Sequence, residues 1–207
     1  ARVLAAAVRE LCVGQSLDLA FERHAEVGLA ACLSMAEAKT GALLGAACEL
    51  GALAAGAAPE RARRLREFGR ELGVAFQLVD DLLGIWGDDA ATGKPVGSDL
   101  AARKKSLPVV AALTSGTPEG ERLARLYARP PGDTLDTAAL TQAAHLVEQA
   151  GGRSWATEEA GRRLDTALLA LHHARPDPCG PTRTHMDPRG RTWVRGGGLG
   201  VSAVAAG

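Results

Sequence analysis

Aromatic side chains are scarce in this 207-residue chain, which has three Phe, three Trp and one Tyr. A pocket that steers cations with aromatic faces would have little to be built from. Net charge is missing as well: 24 Lys and Arg balance 24 Asp and Glu. No excess of one sign points to nucleic acid or to an anionic membrane surface. Cys12, Cys32, Cys48 and Cys179 form no CxxC pair. Their spacing suits buried thiols in a reducing compartment better than disulfides or zinc. No signal peptide opens the chain, since Arg2 and Arg9 flank only a short alanine-rich run. The most apolar stretch, residues 41–58, is mostly Ala and Gly with Glu49 inside, which favours a packed core helix over a membrane span. A strand pattern of any length is lacking too. The expectation is an all-α, cytoplasmic protein with one real core.

Residues 76–108 stand out from this background: FQLVDDLLGIWGDDAATGKPVGSDLAARKKSLP. At 100° per residue, Gln77, Asp80, Asp81 and Asp88 share one sector with Gly73 and Gly84. Val74, Ala75, Phe76, Leu78, Val79, Leu82, Leu83, Ile85 and Trp86 fill the rest. The pattern predicts a helix over 72–88 that is buried nearly all round, with its polar strip facing an internal cavity. Carboxylates crowded on such a strip repel one another unless a cation sits between them. A hard divalent ion with oxygen ligands, Mg²⁺, is the economical choice. The plain alternative, a solvated acidic face, would mix in Lys and Arg and would not set glycines between the acids. Residues 92–99 follow as turn chemistry around Lys94, and then Arg103, Lys104 and Lys105 precede Ser106-Leu107-Pro108. Cations within reach of a carboxylate-bound metal suggest a phosphate ester or diphosphate ligand.

Elsewhere the periodicity predicts helices over 2–20, 29–56, 119–128, 137–150 and 154–172, with a break at His24 and Glu26 and a helix start at Pro59. Gln15 and Asp18 lie three apart on the first helix and share a face, which on spacing alone reads as a surface pair. Lys39-Thr40-Gly41 interrupts an apolar stretch in the middle of the second. Arg61, Arg63, Arg64, Arg66 and Arg70 alternate with Glu60 and Glu67 and read as solvated. From residue 174 onward the composition turns to Pro, Gly and Arg with no helical period. This tail, 174–207, is expected not to fold and reads as out-of-frame translation or a nonhomologous extension. His172, His173 and His185 have no carboxylate or Cys partners at metal-binding spacing.

The segments FQLVDDLLGIWGD, TGKPVGSDL and KKSLP resemble the second aspartate-rich region of the trans-isoprenyl diphosphate synthases, the polyprenyl synthetase family, and its actinobacterial geranylgeranyl-type members in particular. Gly14-Gln15-Ser16-Leu17-Asp18-Leu19 and Lys39-Thr40 are similar to two further segments of that family. The resemblance covers residues 1–173. It implies a helical bundle around a central cavity and a prenyltransferase that condenses isopentenyl diphosphate with an allylic diphosphate, assisted by Mg²⁺. On that mapping Asp80 is the metal ligand and Asp81 assists. Lys39, Thr40, Gln77, Lys94 and Lys104 hold the allylic diphosphate, and Gln15 and Phe76 line the substrate side. It also implies a homodimer, with no nucleic-acid partner and no membrane span. One departure is plain: the family pattern is DDxxD, and the third position here is Gly84. The family's first aspartate-rich motif has no counterpart either. The N-terminal half is therefore expected to lie upstream of Ala1, and the chain alone is expected to turn over little. Two rivals stand beside this reading, a non-catalytic partner subunit and a terpene cyclase of related fold. The scarcity of aromatics counts against the cyclase.

Overall fold

The computed structural model describes residues 1–24, 26–87, 97–128, 135–175, 183–186 and 192–195. Helix α1 runs Arg2–Arg23 and α2 runs Leu29–Ala36. One turn of π-helix, Glu37–Gly41, joins α2 to α3, Ala42–Ala54. The longest helix, α4, spans Pro59–Trp86 and begins with its proline in the first turn, where no amide hydrogen bond is lost. After it come α5 (Ser98–Ala101), α6 (Leu107–Leu113), α7 (Pro118–Tyr127), α8 (Thr137–Gln149) and α9 (Gly152–His173). The starts of α7 and α8 are capped. Thr117 accepts from the Gly120 amide and Asp136 from the Ala139 amide, so each satisfies a donor that the first turn leaves open.

Helix α4 is the centre of the bundle, flanked chiefly by α3 and α9. Two apolar clusters hold its C-terminal half. Val74 and Leu78 pack with Cys32, Met35, Leu107, Val110 and Ala156, all buried. Ile85 packs with Leu100, Val109, Leu123, Leu146 and Val147. Burying each such Leu or Ile side chain contributes about 1.5–3 kcal/mol. Arg163 on α9 adds a polar tie: it donates to Glu37 at the start of the π turn and to Glu71 on α4, each at 3.1 Å, and to Glu159 at 2.7 Å. Arg66 and Arg70, expected to be solvated, reach across to Glu49 on α3 and Glu10 on α1.

The all-α expectation holds, with two differences. Helix α4 is not buried all round: Phe76, Val79, Asp80 and Leu83 form an exposed face. The wheel grouped Asp80 with Gln77 and Asp81, whereas the fold buries Asp81 and leaves Asp80 exposed beside Phe76, Val79 and Leu83; Asp88 lies outside the described residues. The wheel could not say that α3 and α9 cover two sides and that no described element covers the third. Among the described residues there is also one strand pair, β1 (Arg183–Met186) antiparallel to β2 (Thr192–Arg195), in the tail expected not to fold. Four-residue strands are too short to show a period, although Thr184, Trp193 and Val194 favour extended backbone. The chain divides into two units, Ala1–Ala174 and Arg175–Gly207, and the hairpin lies in the second. Among the described residues no helix is long and apolar enough to cross a membrane.

Candidate functional site

Lys39 and Thr40 sit in the π turn, a local widening of the helix that is often found at functional sites. Two glycines allow it. A Cβ on Gly14 of α1 would lie 2.8 Å from Lys39 Cα, and one on Gly73 of α4 would lie 2.7 Å from Gly41 Cα. The backbones of α1 and α4 thus press the turn from both sides, closer than any larger residue permits. Lys39 Nζ donates to Asp18 Oδ2 of α1 at 2.5 Å. Thr40 Oγ1 donates to Gln77 Oε1 at 2.9 Å, and Gln77 Nε2 donates to Asp81 Oδ1 at 3.0 Å. A hydrogen-bonded row therefore runs from the π turn to α4.

The row continues into the segment after α5. Lys104 Nζ donates to Asp81 Oδ1 at 3.2 Å and to Asp99 Oδ2 at 3.4 Å. The Leu107 amide donates to Asp81 Oδ2 at 2.9 Å. Asp81, only 3% exposed, thus has three donors on two oxygens and ties α4 to the start of α6. Burial pushes its carboxyl above the ordinary range, against the opposing pull of Lys104, the Leu107 amide and Gln77. Burial alone would lower the Lys104 ammonium, but the Asp81 and Asp99 carboxylates override it and hold the lysine well above its usual value. Helix α5 ends in a Schellman turn. The Lys104 amide donates to the Asp99 carbonyl at 2.8 Å, the Arg103 amide donates to the Leu100 carbonyl at 2.9 Å, and Arg103 takes the left-handed conformation with φ 48°. That reversal turns Lys104 back toward α4.

These groups surround a cavity of about 10 Å³ lined by Asp18, Lys39, Gln77, Asp81, Lys104 and Ser106, among others. The volume suits a single water. The Ser106 hydroxyl is buried there without a hydrogen-bond partner among the described residues. Four of the expected site residues, Thr40, Gln77, Asp81 and Lys104, are therefore hydrogen-bonded in one row, and Lys39, paired with Asp18, stands at its start beside Thr40. Gln15 and Phe76 do not join it; both are exposed. Lys94 lies outside the described residues. Asp99, Lys105 and Ser106 were visible only as members of a turn and a basic cluster, and neither pattern assigns them a partner.

Asp80 and Asp81 point to different tasks. Both Asp81 oxygens are engaged, whereas Asp80 is exposed on the Phe76–Leu83 face. Among the described residues no three of His, Cys, Asp and Glu gather where a metal could join them. A lone exposed carboxylate still suits Mg²⁺, which binds through one or two carboxylates, water and the phosphates of its ligand.

The bundle is helical, with lysines from the π turn and from the segment after α5 set against carboxylates of α1, α4 and α5, and comparison with known proteins names its family. The family model described as polyprenyl synthetase matches residues 1–144. The chain belongs to the polyprenyl synthetase family. It is 49% identical over 168 residues to the (2E,6E)-farnesyl diphosphate synthase of Mycobacterium tuberculosis, covering 81% of this chain and 47% of that protein. The chain thus spans about half the length of this curated relative. The crystal structure of polyprenyl synthetase from Streptomyces coelicolor A3(2) aligns with a TM-score of 0.81 at 44% identity, over 85% of this chain and 53% of that one. A geranylgeranyl pyrophosphate synthase from Corynebacterium glutamicum, solved with isoprenyl diphosphate and magnesium, aligns with a TM-score of 0.75 at 27% identity, over 86% of this chain and 51% of that one.

Proposed function

We propose that this chain carries the allylic-diphosphate side of a prenyltransferase that condenses isopentenyl diphosphate with an allylic diphosphate. The observation that carries the reading is the row from Lys39 and Thr40 through Gln77 to Lys104, which brings three separate elements to one place. Each lysine in the row is already neutralised, Lys39 by Asp18 and Lys104 by Asp81 and Asp99. Such a site offers hydrogen-bond donors in fixed positions but little net positive charge. An anion of charge −3 or so therefore binds best together with a divalent cation. Asp80 would hold Mg²⁺, which would supply the positive charge that stabilises a departing diphosphate. Lys39, Thr40 and Lys104 would orient the phosphate oxygens, and the Ser106 hydroxyl at the same cavity has no partner among the described residues. Asp81 fixes Lys104 instead of meeting the metal. The exposed Leu4, Val8 and Val13 of α1 support a paired state of the chain.

The test has two arms. Titration with inorganic pyrophosphate should show binding that needs Mg²⁺ and that weakens about tenfold or more in Asp80→Ala and in Lys39→Ala. Transfer from farnesyl diphosphate to radiolabelled isopentenyl diphosphate should be read alongside it. Product that vanishes in Asp80→Ala supports the full reaction. Binding without product assigns this chain the diphosphate side only. Wild-type chain that ignores pyrophosphate at millimolar Mg²⁺ sinks the reading.

A further inference from the structure

Gly84 occupies the helical position one turn after Asp80, on α4. The space beside it is taken. A Cβ built on Gly84 would lie 2.6 Å from both Cγ and Oδ2 of Asp99 and 3.0 Å from its Oδ1. The Asp99 carboxylate, coming from α5, therefore rests where a side chain of residue 84 would begin. Asp99 is also bound twice to Lys104, once by its carbonyl to the lysine amide at 2.8 Å and once by its carboxylate to the ammonium at 3.4 Å. Asp99 is 17% exposed at its side chain and Lys104 29%, so solvent screens the contact only in part.

We infer that Asp99 is a positioning residue for Lys104, and that its carboxylate does so from the slot that Gly84 leaves open on α4. The space that an acidic side chain at position 84 would enter is filled instead by an acid that arrives from the neighbouring turn. Asp81 holds the ammonium from α4 and Asp99 holds it from α5, so the lysine is fixed between two carboxylates before any ligand arrives. This rests on the proposed function for its consequence, since the lysine so placed is one that would meet the diphosphate. Residues 84 and 99 are thereby coupled. An acid at 84 without a change at 99 adds a like charge and a steric clash, while an acid at 84 with alanine at 99 rebuilds the same arrangement from the other backbone.

A double-mutant cycle decides it. Asp99→Ala and Gly84→Asp should each weaken Mg²⁺-dependent binding of inorganic pyrophosphate, by about tenfold. The double variant should recover most of that loss. In the ligand-free protein, the ¹⁵N signal of the Lys104 ammonium, assigned with Lys104→Arg, should move in both single variants and return in the double. Additive losses with no recovery would overturn the inference, and so would Gly84→Asp binding more tightly than wild type with the Lys104 signal unmoved. If the wild-type chain binds no pyrophosphate, the proposed function fails. The ammonium signal still reports whether Asp99 holds Lys104 from the Gly84 slot, so the two failures are told apart.

Discussion

Asp80 and Asp81 are neighbours of the same chemical type on one helix, and the fold treats them oppositely. A step of 100° around α4 carries Asp81 under the start of α6, where Lys104, Gln77 and the Leu107 amide all donate to it. The same step leaves Asp80 on an open face between Phe76 and Leu83. The buried carboxylate ties three elements together, and the exposed one faces the open side of α4. The lesson is that in a paired-acid motif the chemistry of the residue type does not assign the role. What does is which of the two the neighbouring elements cover.

The comparison breaks most sharply if the buried member is removed. Asp81→Ala leaves the Leu107 backbone amide and the Gln77 side-chain amide without their acceptor and takes one of its two carboxylates from Lys104, and should cost about 2–4 kcal/mol in urea unfolding. Asp80→Ala should change stability by less than about 0.5 kcal/mol. Equal losses in the two variants would erase the distinction. Gly14→Ala tests the other end of the row, where close backbone packing holds the turn that carries Lys39. Its methyl would press on Lys39 Cα, and a cost of about 1–3 kcal/mol in the same measurement is expected. A substitution there without effect would show that the π turn is not clasped.

The smallest effect is one of pH. Cys32 lies beneath the site and donates to the Lys105 carbonyl at 3.6 Å. Burial first, and then the charge of Asp81, pushes its thiol up from 9.0 to about 12. The folded chain keeps this proton where the unfolded chain has lost it. The stabilisation is thus whole below pH 9.0, the unfolded value, and drains away as pH rises toward 12. Between about pH 9 and 10, before tyrosines and lysines ionise, unfolding free energy should fall by about 1 kcal/mol. Cys48, also raised by burial, acts in the same direction, so Cys32→Ala should reduce the slope without removing it. An unchanged slope would place Cys32 in contact with water.

The amino-acid sequence by itself determined the longer helices and named residues that the fold brings close together. Apolar spacing placed α1, α4 and α9, and Pro59 marked the start of α4. Residue order, through the family resemblance it carries, singled out Lys39, Thr40, Gln77, Asp81 and Lys104, because those motifs are local and survive in one dimension. Partnerships were not legible. Asp18 with Lys39, Asp99 with Gly84 and Lys104, and the Leu107 amide with Asp81 join residues 5 to 26 positions apart. The face of α4 that stays open depends on where α3 and α9 pack, and no helical wheel contains that. A periodic sequence says which side chains travel together. Only the packing of helices against one another decides which of them meet a partner and which meet water, because burial and hydrogen bonding are properties of neighbours brought together by the fold.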